Sequence, residues 1–248
     1  MLWISLLTGL LMLFIFKHTS NQEGIRHTKD RIKAHLLEMR LYKDNFITSL
    51  RAQRNILAAN VRYMAHSVKP LLVMIVPVLL ILIQLNFWFG YRPLKTGEST
   101  LFKVKMTDTT DLMDIDLSLE VPPEVQLETL PVRIQEENEI DWRLSVLEAG
   151  VHEVSINVGP NRLSKKIYAG NTSLQKISPL RPAPSFFQIL LYPVEKPLPK
   201  GQPVKTIEVI QPTQGLPLLG MNIHWLIAFF ALSVIFGFSL KGVFGVEI

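Results

Sequence analysis

Hydrophobic residues cluster into three runs that predict membrane-spanning helices. The central run, residues 70–91, contains no charged side chain, and about 20 apolar residues are enough for a helix to cross the hydrocarbon core of a bilayer. A second run, 221–240, stops before Lys241, and a third, 1–16, is shorter but also uncharged. A buried helix of a soluble protein is the alternative, and the length of the central run argues against it.

The N-terminal run has a second interpretation, a cleaved signal peptide. Signal peptides carry basic residues before the apolar core and a small-x-small cleavage site after it. No basic residue precedes the apolar core in this chain, and only FKHTSNQEG follows it. The pattern therefore favours an uncleaved anchor, transmembrane helix 1, over a signal peptide.

Residues 17–69 have the periodicity of amphipathic helices. Apolar residues recur at spacings of three, four or seven on both sides of Lys43-Asp44-Asn45, as on one helical face and, in the second half, as at the a and d positions of a coiled coil. These residues are Ile25, Ile32, Leu36, Met39 and Tyr42, then Ile47, Leu50, Leu57, Val61, Met64 and Val68. The simplest structure is an antiparallel hairpin packed stripe against stripe, with a bend at Lys69-Pro70. Two helices lying flat on the bilayer are the alternative.

From residue 98 to residue 170 the apolar period becomes two, which predicts strands. Apolar and polar residues alternate over 115–121, 140–146 and 154–158, with turn residues between these segments. About six or seven short strands would form an all-β sandwich of immunoglobulin-like type, with Trp142 in its core. The predicted fold class is therefore a membrane α-helical protein with three transmembrane helices, a cytoplasmic helical hairpin and an extracytoplasmic β-sandwich.

Residues 171–220 are rich in proline and predict an extracytoplasmic linker between the sandwich and the third span. One piece of it, residues 185–193, is apolar but too short to cross a bilayer. This piece is either a helix lying at the outer membrane interface or a segment that packs on the sandwich. Both alternatives stay open at the level of the sequence.

The distribution of charge predicts the orientation of the chain in the membrane. Residues 17–69 contain 11 Lys and Arg against 4 Asp and Glu, whereas residues 92–220 contain 14 against 16. Segments rich in Lys and Arg stay in the cytoplasm, so we expect the N-terminus outside, the hairpin inside, the sandwich outside and the C-terminus inside. The predicted location is the plasma (inner) membrane of a bacterium, with the chain as an integral, multi-pass protein.

The pI of about 9.4 then reflects topology, and we expect no specific nucleic acid as a partner. Basic residues next to a membrane favour anionic lipid headgroups. Membrane lipids are therefore expected partners.

Candidate chemistry is sparse, and we expect neither enzymatic activity nor a catalytic residue, a metal site or a cofactor. The chain contains no Cys, which excludes disulfides, thiolate metal sites and a Cys nucleophile. His152-Glu153 begins like the HExxH motif of zinc proteases, but the second His is missing and the context is a strand.

Polar side chains inside the predicted spans are functional candidates, because the hydrocarbon core of a bilayer disfavours them. The candidates are Thr8, Gln84, Asn86 and Ser233. The structural alternative is that they form hydrogen bonds between helices or, like Asn86, lie at the membrane interface.

The order of these elements and the stretch RIKAHLLEMRLYKDN…LRAQRNILAANVRYM…KPLLVMIVPVLL resemble the Oxa/YidC/Alb superfamily of membrane-protein insertases. The smaller members of that superfamily have three spans and a hairpin. The likeness covers residues 17–90 and the last span. Many members carry a positive residue within a span, and this chain carries none there. The resemblance implies that the hairpin captures a hydrophobic client segment or a ribosome, and that the spans give polar groups a hydrated route.

Two functions follow as hypotheses. The first is an insertase-like or chaperone-like factor in membrane protein biogenesis, with nascent membrane proteins or the ribosome as partners. The second is a non-catalytic scaffold subunit of a membrane-envelope complex, with protein partners on both sides of the membrane. Under either hypothesis, the expected partner-binding residues of the hairpin are Arg40, Lys43, Asp44, Arg51 and Arg54.

Overall fold

The structure, a computed structural model, describes residues 1–42, 46–108, 112–113, 115–170, 175–218 and 221–246. The chain divides into two compact units, one of residues 1–82 and 223–248 and the other of residues 83–222. Three of its helices are long and apolar enough to cross a membrane. They are α1 (Leu2–Thr19), α3 (Phe46–Phe89) and α5 (Trp225–Phe244).

Helices α1 and α5 run parallel and touch through small residues. A Cβ atom added at Gly9 would lie 3.1 Å from the carbonyl oxygen of Ser233, so the two backbones are in contact there. Further along, Nζ of Lys17 donates a hydrogen bond to the carbonyl oxygen of Phe244 over 2.7 Å. Both pairs join later residues of α1 to later residues of α5, so Lys17 and Lys241 lie at the same end of the pair. The predicted topology requires this arrangement.

Two helix ends differ from the predicted span boundaries. α1 ends at Thr19 rather than at residue 16, because the hydroxyls of Thr19 and Ser20 donate to carbonyl oxygens four residues back and extend the last turn. α5 covers residues 225–244 rather than 221–240. His224 caps its start, since its Nδ1 accepts a hydrogen bond from the backbone N–H of Leu226 over 3.3 Å.

Helix α2 (Gln22–Leu41) and the first half of α3 are antiparallel neighbours. The side chain of Asn21 caps α2 by accepting a hydrogen bond from the backbone N–H of Gly24 over 2.9 Å. A Cβ atom added at Gly24 would lie 3.1 Å from Cε1 of His66 on α3. α2 ends at Leu41 and α3 begins at Phe46. Gly24 and His66 both lie far from these ends, so their contact means that the two helices fold back on each other as a hairpin.

Helix α3 continues from Phe46 to Phe89 and includes Pro70 and Pro77, so no helix end falls at Lys69-Pro70, where the sequence predicted a bend. The second helix of the hairpin and the second candidate span are therefore one helix. Each proline removes one backbone N–H from the helical ladder. In apolar surroundings, losing one hydrogen bond at each proline costs less free energy than ending the helix there, because a helix end would leave several backbone groups unpaired.

The second unit is built on two antiparallel sheets. The larger has the strand order β3-β5-β1-β9-β8, with β4 also paired to β5, and the smaller has the order β2-β6-β7. A further two-stranded sheet pairs β10 with β11. The strands are β1 (Ser99–Met106), β2 (Leu117–Glu120), β3 (Val125–Leu127), β4 (Val132–Ile134), β5 (Glu139–Val146), β6 (Gly150–Val158), β7 (Asn161–Ala169), β8 (Leu180–Arg181), β9 (Val204–Val209), β10 (Gly215–Leu218) and β11 (Met221–His224). Helix α4 (Phe186–Leu191) lies between β8 and β9 in the chain.

The two sheets share one apolar core, filled by alternate residues of their strands. Trp142 on β5 is buried and meets the ring of Phe102 on β1 edge-on at 6.3 Å between centroids. Val154 and Ile156 enter the same core from β6, and Leu119 of β2 packs against it. The alternation read from the sequence therefore identified the inward face of these strands.

The domain boundary predicted at residue 170 differs from the structure, because the proline-rich segment contributes strands. β9 lies between β1 and β8 in the larger sheet, and its Ile207 and Val209 are fully buried. Prolines surround β9, but residues 204–209 contain none. All their N–H groups can therefore join the ladder, which proline in a central strand would prevent.

Replacing Gly9 with Leu should push α1 away from α5, because a side chain there meets the backbone of α5 at 3.1 Å. We expect the midpoint of thermal unfolding in detergent to fall by several degrees, as overpacking of this kind costs about 1–3 kcal/mol. Gly242→Leu is the matched control, because a Cβ atom added there meets no atom within 4 Å. Equal midpoints for the two variants would contradict the close approach of the helices.

Candidate functional site

The hairpin leaves a large apolar surface uncovered on α3. We call it the α3 stripe, and its residues are between 52% and 71% exposed. The stripe consists of Ile47, Leu50, Leu57, Val61, Met64 and Val68. Leu36 and Leu37 on α2 are exposed as well. Contiguous apolar surface of this extent indicates a binding face in a soluble or membrane-associated protein.

The opposite face of α3 carries the small residues that are buried. Ala52 is fully buried and Ala59 is 8% exposed, and they lie seven residues apart. At 3.6 residues per turn, Ala52 and Ala59 fall about half a turn away from the stripe residues Leu50 and Leu57. The buried residues of α2 are Ile25 and Thr28.

These positions correct the predicted packing of the hairpin. The sequence predicted contact through the large apolar stripe, but that stripe faces outward and the alanine face is covered instead. His66, which lies against Gly24 of α2, is seven residues after Ala59 and therefore on the same face of α3. The large side chains of the α3 stripe lie away from this face and stay exposed.

Basic residues border the stripe. Arg54 lies in the one stripe position that is not apolar, and Arg51 and Arg62 lie along one flank of it on the helical wheel. All three are exposed, as is Arg40 in the last turn of α2. Arg40, Arg51 and Arg54 form no ion pair with any residue that the structure describes. The predicted partner-binding residues Lys43 and Asp44 lie outside the described residues.

The acidic residues near the basic border are engaged elsewhere on α2. Oδ1 of Asp30 lies 3.4 Å from Nζ of Lys33, and Oε2 of Glu38 lies 3.0 Å from Nδ1 of His35. Within the described part of the hairpin, the positive charge around the α3 stripe is therefore not neutralised by these carboxylates.

The structure buries two of the predicted intramembrane candidates, Thr8 and Ser233, in the helical unit. Ser5, one turn before Gly9, is also buried, and the sequence analysis missed it. Its spacing from Gly9 matches the small-xxx-small pattern of close helix pairs. The Oγ atoms of Ser5 and Ser233 have no hydrogen-bond partner among the described residues. The burial of these small side chains supports a role in the packing of α1 against α5.

The other two candidates belong to the second unit and lie at the C-terminal end of α3. Oε1 of Gln84 accepts a hydrogen bond from Nζ of Lys176 over 2.9 Å, and the same ammonium lies 5.7 Å from the centroid of the Trp88 ring. The carbonyl oxygen of Asn86 accepts a hydrogen bond from Gly90 over 2.8 Å, which closes the last turn. Gln84 therefore connects α3 to the segment between β7 and β8, whereas this bond of Asn86 stays within its own helix.

Two charged clusters in the sheet unit were not found from the sequence. In the first, Nζ of Lys165 donates to the carboxylate of Glu195 and to the carbonyl oxygen of Ser178, the latter over 2.7 Å. Burial lowers the pKa of Lys165 and raises that of Glu195, while each charge opposes the shift of the other. Lys165 occupies an inward position of β7, between Leu163 and Ile167. Lys165 at an inward position of the alternating strand pattern could have indicated, from the sequence, that a buried carboxylate pairs with it.

The second cluster joins Lys103 of β1 to Glu139 and Asp141 of β5. Nζ of Lys103 lies 2.6 Å from Oε1 of Glu139 and 3.5 Å from Oδ2 of Asp141. Burial, followed by the charge of Glu139, raises the pKa of Asp141 to about 6, although Lys103 opposes the shift. Oδ1 of Asp141 has no hydrogen-bond partner among the described residues.

His152-Glu153, which resembled the start of a zinc motif, has a structural setting. Nε2 of His152 lies 2.8 Å from the carbonyl oxygen of Glu148, so it fastens the turn before β6, and Glu153 beside it is exposed. Among the described residues, no three His, Asp or Glu side chains are close enough together to hold a metal ion. The charged clusters hold strands and loops in place.

Comparison with known proteins adds no relative. No protein-family model matches the chain, and no curated protein matches it either. The function is therefore inferred from the surfaces described above, among them the α3 stripe with its basic border.

Asp141→Asn should stabilise the sheet unit at neutral pH. The pKa of Asp141 is about 6 in the folded state, against an ordinary value of 3.8, so folding favours the protonated acid. The contribution of this proton to stability is complete below about pH 4 and is lost as the pH rises through 6. We expect the variant to unfold at a higher temperature than the wild type at pH 7, with the difference shrinking towards pH 4.

The exposed residue Asp116 provides the control for this experiment. Asp116→Asn changes the net charge equally but removes a carboxylate that is not buried between strands. Thermal unfolding at a series of pH values measures both variants against the wild type. A difference between Asp141→Asn and the wild type that does not vary with pH would argue against the raised pKa.

Proposed function

We propose that this protein is an integral membrane protein that assists the insertion or folding of other membrane proteins, as insertase-like and chaperone-like factors do. The hairpin would capture the client, a nascent membrane protein or the ribosome that carries it. The observation that carries this proposal is the outward α3 stripe, whose large apolar side chains are more than half exposed.

Free energy favours covering the stripe with an apolar segment. Burying one Leu, Val or Met side chain contributes about 1.5–3 kcal/mol, and the stripe offers six large side chains in one line. Because α3 is continuous from Phe46 to Phe89, the same helix leads from the stripe into the candidate span. A hydrophobic client segment bound along the stripe would therefore be guided towards the bilayer.

The placement in the membrane belongs to the same proposal. We place α1, α3 and α5 across the plasma membrane, with the N-terminus outside, the hairpin and the C-terminus in the cytoplasm and the sheet unit outside. Two observations support this orientation: the excess of Lys and Arg in residues 17–69 and the parallel course of α1 and α5, which puts Lys17 and Lys241 at one end.

The sheet unit supports a second candidate function, a scaffold subunit of an envelope complex. Residues 83–222 form a compact unit of their own, and their two antiparallel sheets enclose Trp142 in a shared core. We describe this unit as an immunoglobulin-like sandwich. Sandwiches of this kind serve mainly as contact modules, so this unit would bind a protein outside the cell.

Photo-crosslinking from the hairpin distinguishes the two functions. A photoreactive amino acid at Leu57 or Met64, both in the α3 stripe and more than 60% exposed, should capture many different nascent membrane proteins. The expected yield is several-fold above that from Ala58, which is also exposed but lies about 100° away from Leu57 on the helix.

The crosslinking yields at Leu57 and Ala58 distinguish three cases. A broad set of hydrophobic clients at Leu57 and few at Ala58 supports the biogenesis factor. A single stoichiometric partner at Leu57 supports the scaffold subunit instead. Equal yields at Leu57 and Ala58 would show that the stripe is not the capture surface.

Thiol labelling tests the orientation, and the absence of native Cys removes any background. Gln53→Cys on α3 and Glu153→Cys on β6 both introduce a thiol at an exposed position. In intact cells, we expect a membrane-impermeant maleimide to label position 153 and to label position 53 only after the membrane is permeabilised. The reverse pattern would invert the proposed topology.

A further inference from the structure

Helix α4 presents its apolar side chains to the surroundings instead of to the core. None of its six residues is buried, and Phe186 and Phe187 are 75% and 73% exposed. The apolar side chains of α4 therefore do not enter the core of the sheet unit, which favours the interfacial alternative for residues 185–193. Water is an unfavourable environment for a contiguous apolar group of this kind.

α4 is a well-defined helix despite its exposure. The backbone N–H of Ile189 donates to the carbonyl oxygen of Ser185 over 2.9 Å, and that of Tyr192 to Gln188 over 2.8 Å. Oε1 of Gln188 accepts a hydrogen bond from the backbone N–H of Ala183 over 2.9 Å, which ties the helix to the segment before it. Its one polar side chain is thus used internally, and the apolar ones are left outside.

Both flanks of α4 are attached to the sheet framework. On the N-terminal side, Arg181 belongs to β8, and its guanidinium donates to the carbonyl oxygen of Ser164 on β7. On the C-terminal side, Glu195 pairs with the buried Lys165 of β7, and Leu198 is buried in the core. These attachments hold α4 in one position on the sheet unit.

That position lies beside the C-terminal end of α3. The ring of Tyr192, which follows α4, meets the ring of Phe87 at 6.1 Å between centroids. The backbone N–H of Ile177 donates to the carbonyl oxygen of Phe87 over 2.9 Å, so Phe87 is covered by the same part of the chain. Phe87 belongs to the last turn of the most apolar candidate span. Nζ of Lys176 lies over the ring of Trp88, the next residue of that turn. Aromatic and basic side chains of this kind favour the membrane–water interface.

We infer that α4 is a membrane-interfacial anchor, whose apolar side chains lie in the outer leaflet beside the end of α3. The apolar side chains of α4 would contact the acyl chains just below the lipid headgroups. This choice of surroundings is argued from the contact between Tyr192, which follows α4, and Phe87 in the candidate span. The inference rests on the proposed membrane placement and adds a second attachment of the sheet unit to the bilayer. Such an attachment would restrict how far this unit can tilt around the end of α3.

Collision measurements on spin labels test the anchor in the full-length protein. The chain has no Cys, so Phe187→Cys, Leu130→Cys and Leu79→Cys each carry one nitroxide after reconstitution into phosphatidylcholine nanodiscs. Leu130 is 83% exposed and lies between β3 and β4, at the opposite edge of the larger sheet from β8. Leu79 is an exposed residue of the candidate span. Oxygen concentrates in hydrocarbon, whereas a polar nickel chelate stays in water.

We expect the ratio of oxygen to nickel collisions at positions 187 and 79 to be several-fold higher than at position 130. If the ratio is high at position 79 but the ratio at position 187 equals that at position 130, the membrane placement holds and the anchor is overturned. Shielding of position 187 from both reagents would indicate a protein partner and would also overturn it. A low ratio at position 79 would remove both the membrane placement and the anchor.

Discussion

Apolar surface has to leave water, and this constraint is met differently in the two units of the protein. In the sheet unit, two antiparallel sheets cover each other, and residues such as Trp142 and Phe102 are buried. In the helical unit, large side chains stay outside, as in Trp3 of α1 and Val243 of α5, which are 78% and 79% exposed. Helices of this kind satisfy their own backbone hydrogen bonds and need an apolar solvent for their side chains, which a bilayer supplies.

Helix α3 of the hairpin has one covered face and one exposed apolar face. Alanines on one face of α3 are buried, while the large side chains of the α3 stripe lie on the other face. Because the buried face of α3 carries alanines, the larger hydrophobic area of this helix stays exposed. Exposed arginines border that area.

Buried charge in the sheet unit has a positional role. Ion pairs such as Lys165–Glu195 gain little net stability, because the desolvation of each ion offsets their attraction. They can still select one arrangement of the chain, since leaving either charge unpaired in the core would be costly. Here the pair attaches the segment after α4 to β7. The position of α4 near Phe87 thus depends in part on this buried polar contact.

Several features were predictable from the sequence, because they follow from local periodicity. The uncharged runs identified the three candidate spans, and the alternation around Trp142 identified the inward face of the strands. The division of residues 17–69 into two helices was also predictable, since α2 ends at Leu41 and α3 begins at Phe46. The predicted break at Lys43 and Asp44 lies outside the described residues.

Other features depended on contacts between distant residues, which local periodicity does not record. Glu195 pairs with a lysine 30 residues earlier, and β9 enters the sheet beside β1, about 100 residues before it. Hydrophobicity did not indicate which face of α3 is covered, since Ala52 and Ala59 are buried while the larger stripe residues are exposed. The sequence alone determined where apolar surface lies along each element, because that depends on residues three or four apart. Only the tertiary structure decided which of those surfaces are covered, because covering a surface requires a partner from elsewhere in the chain.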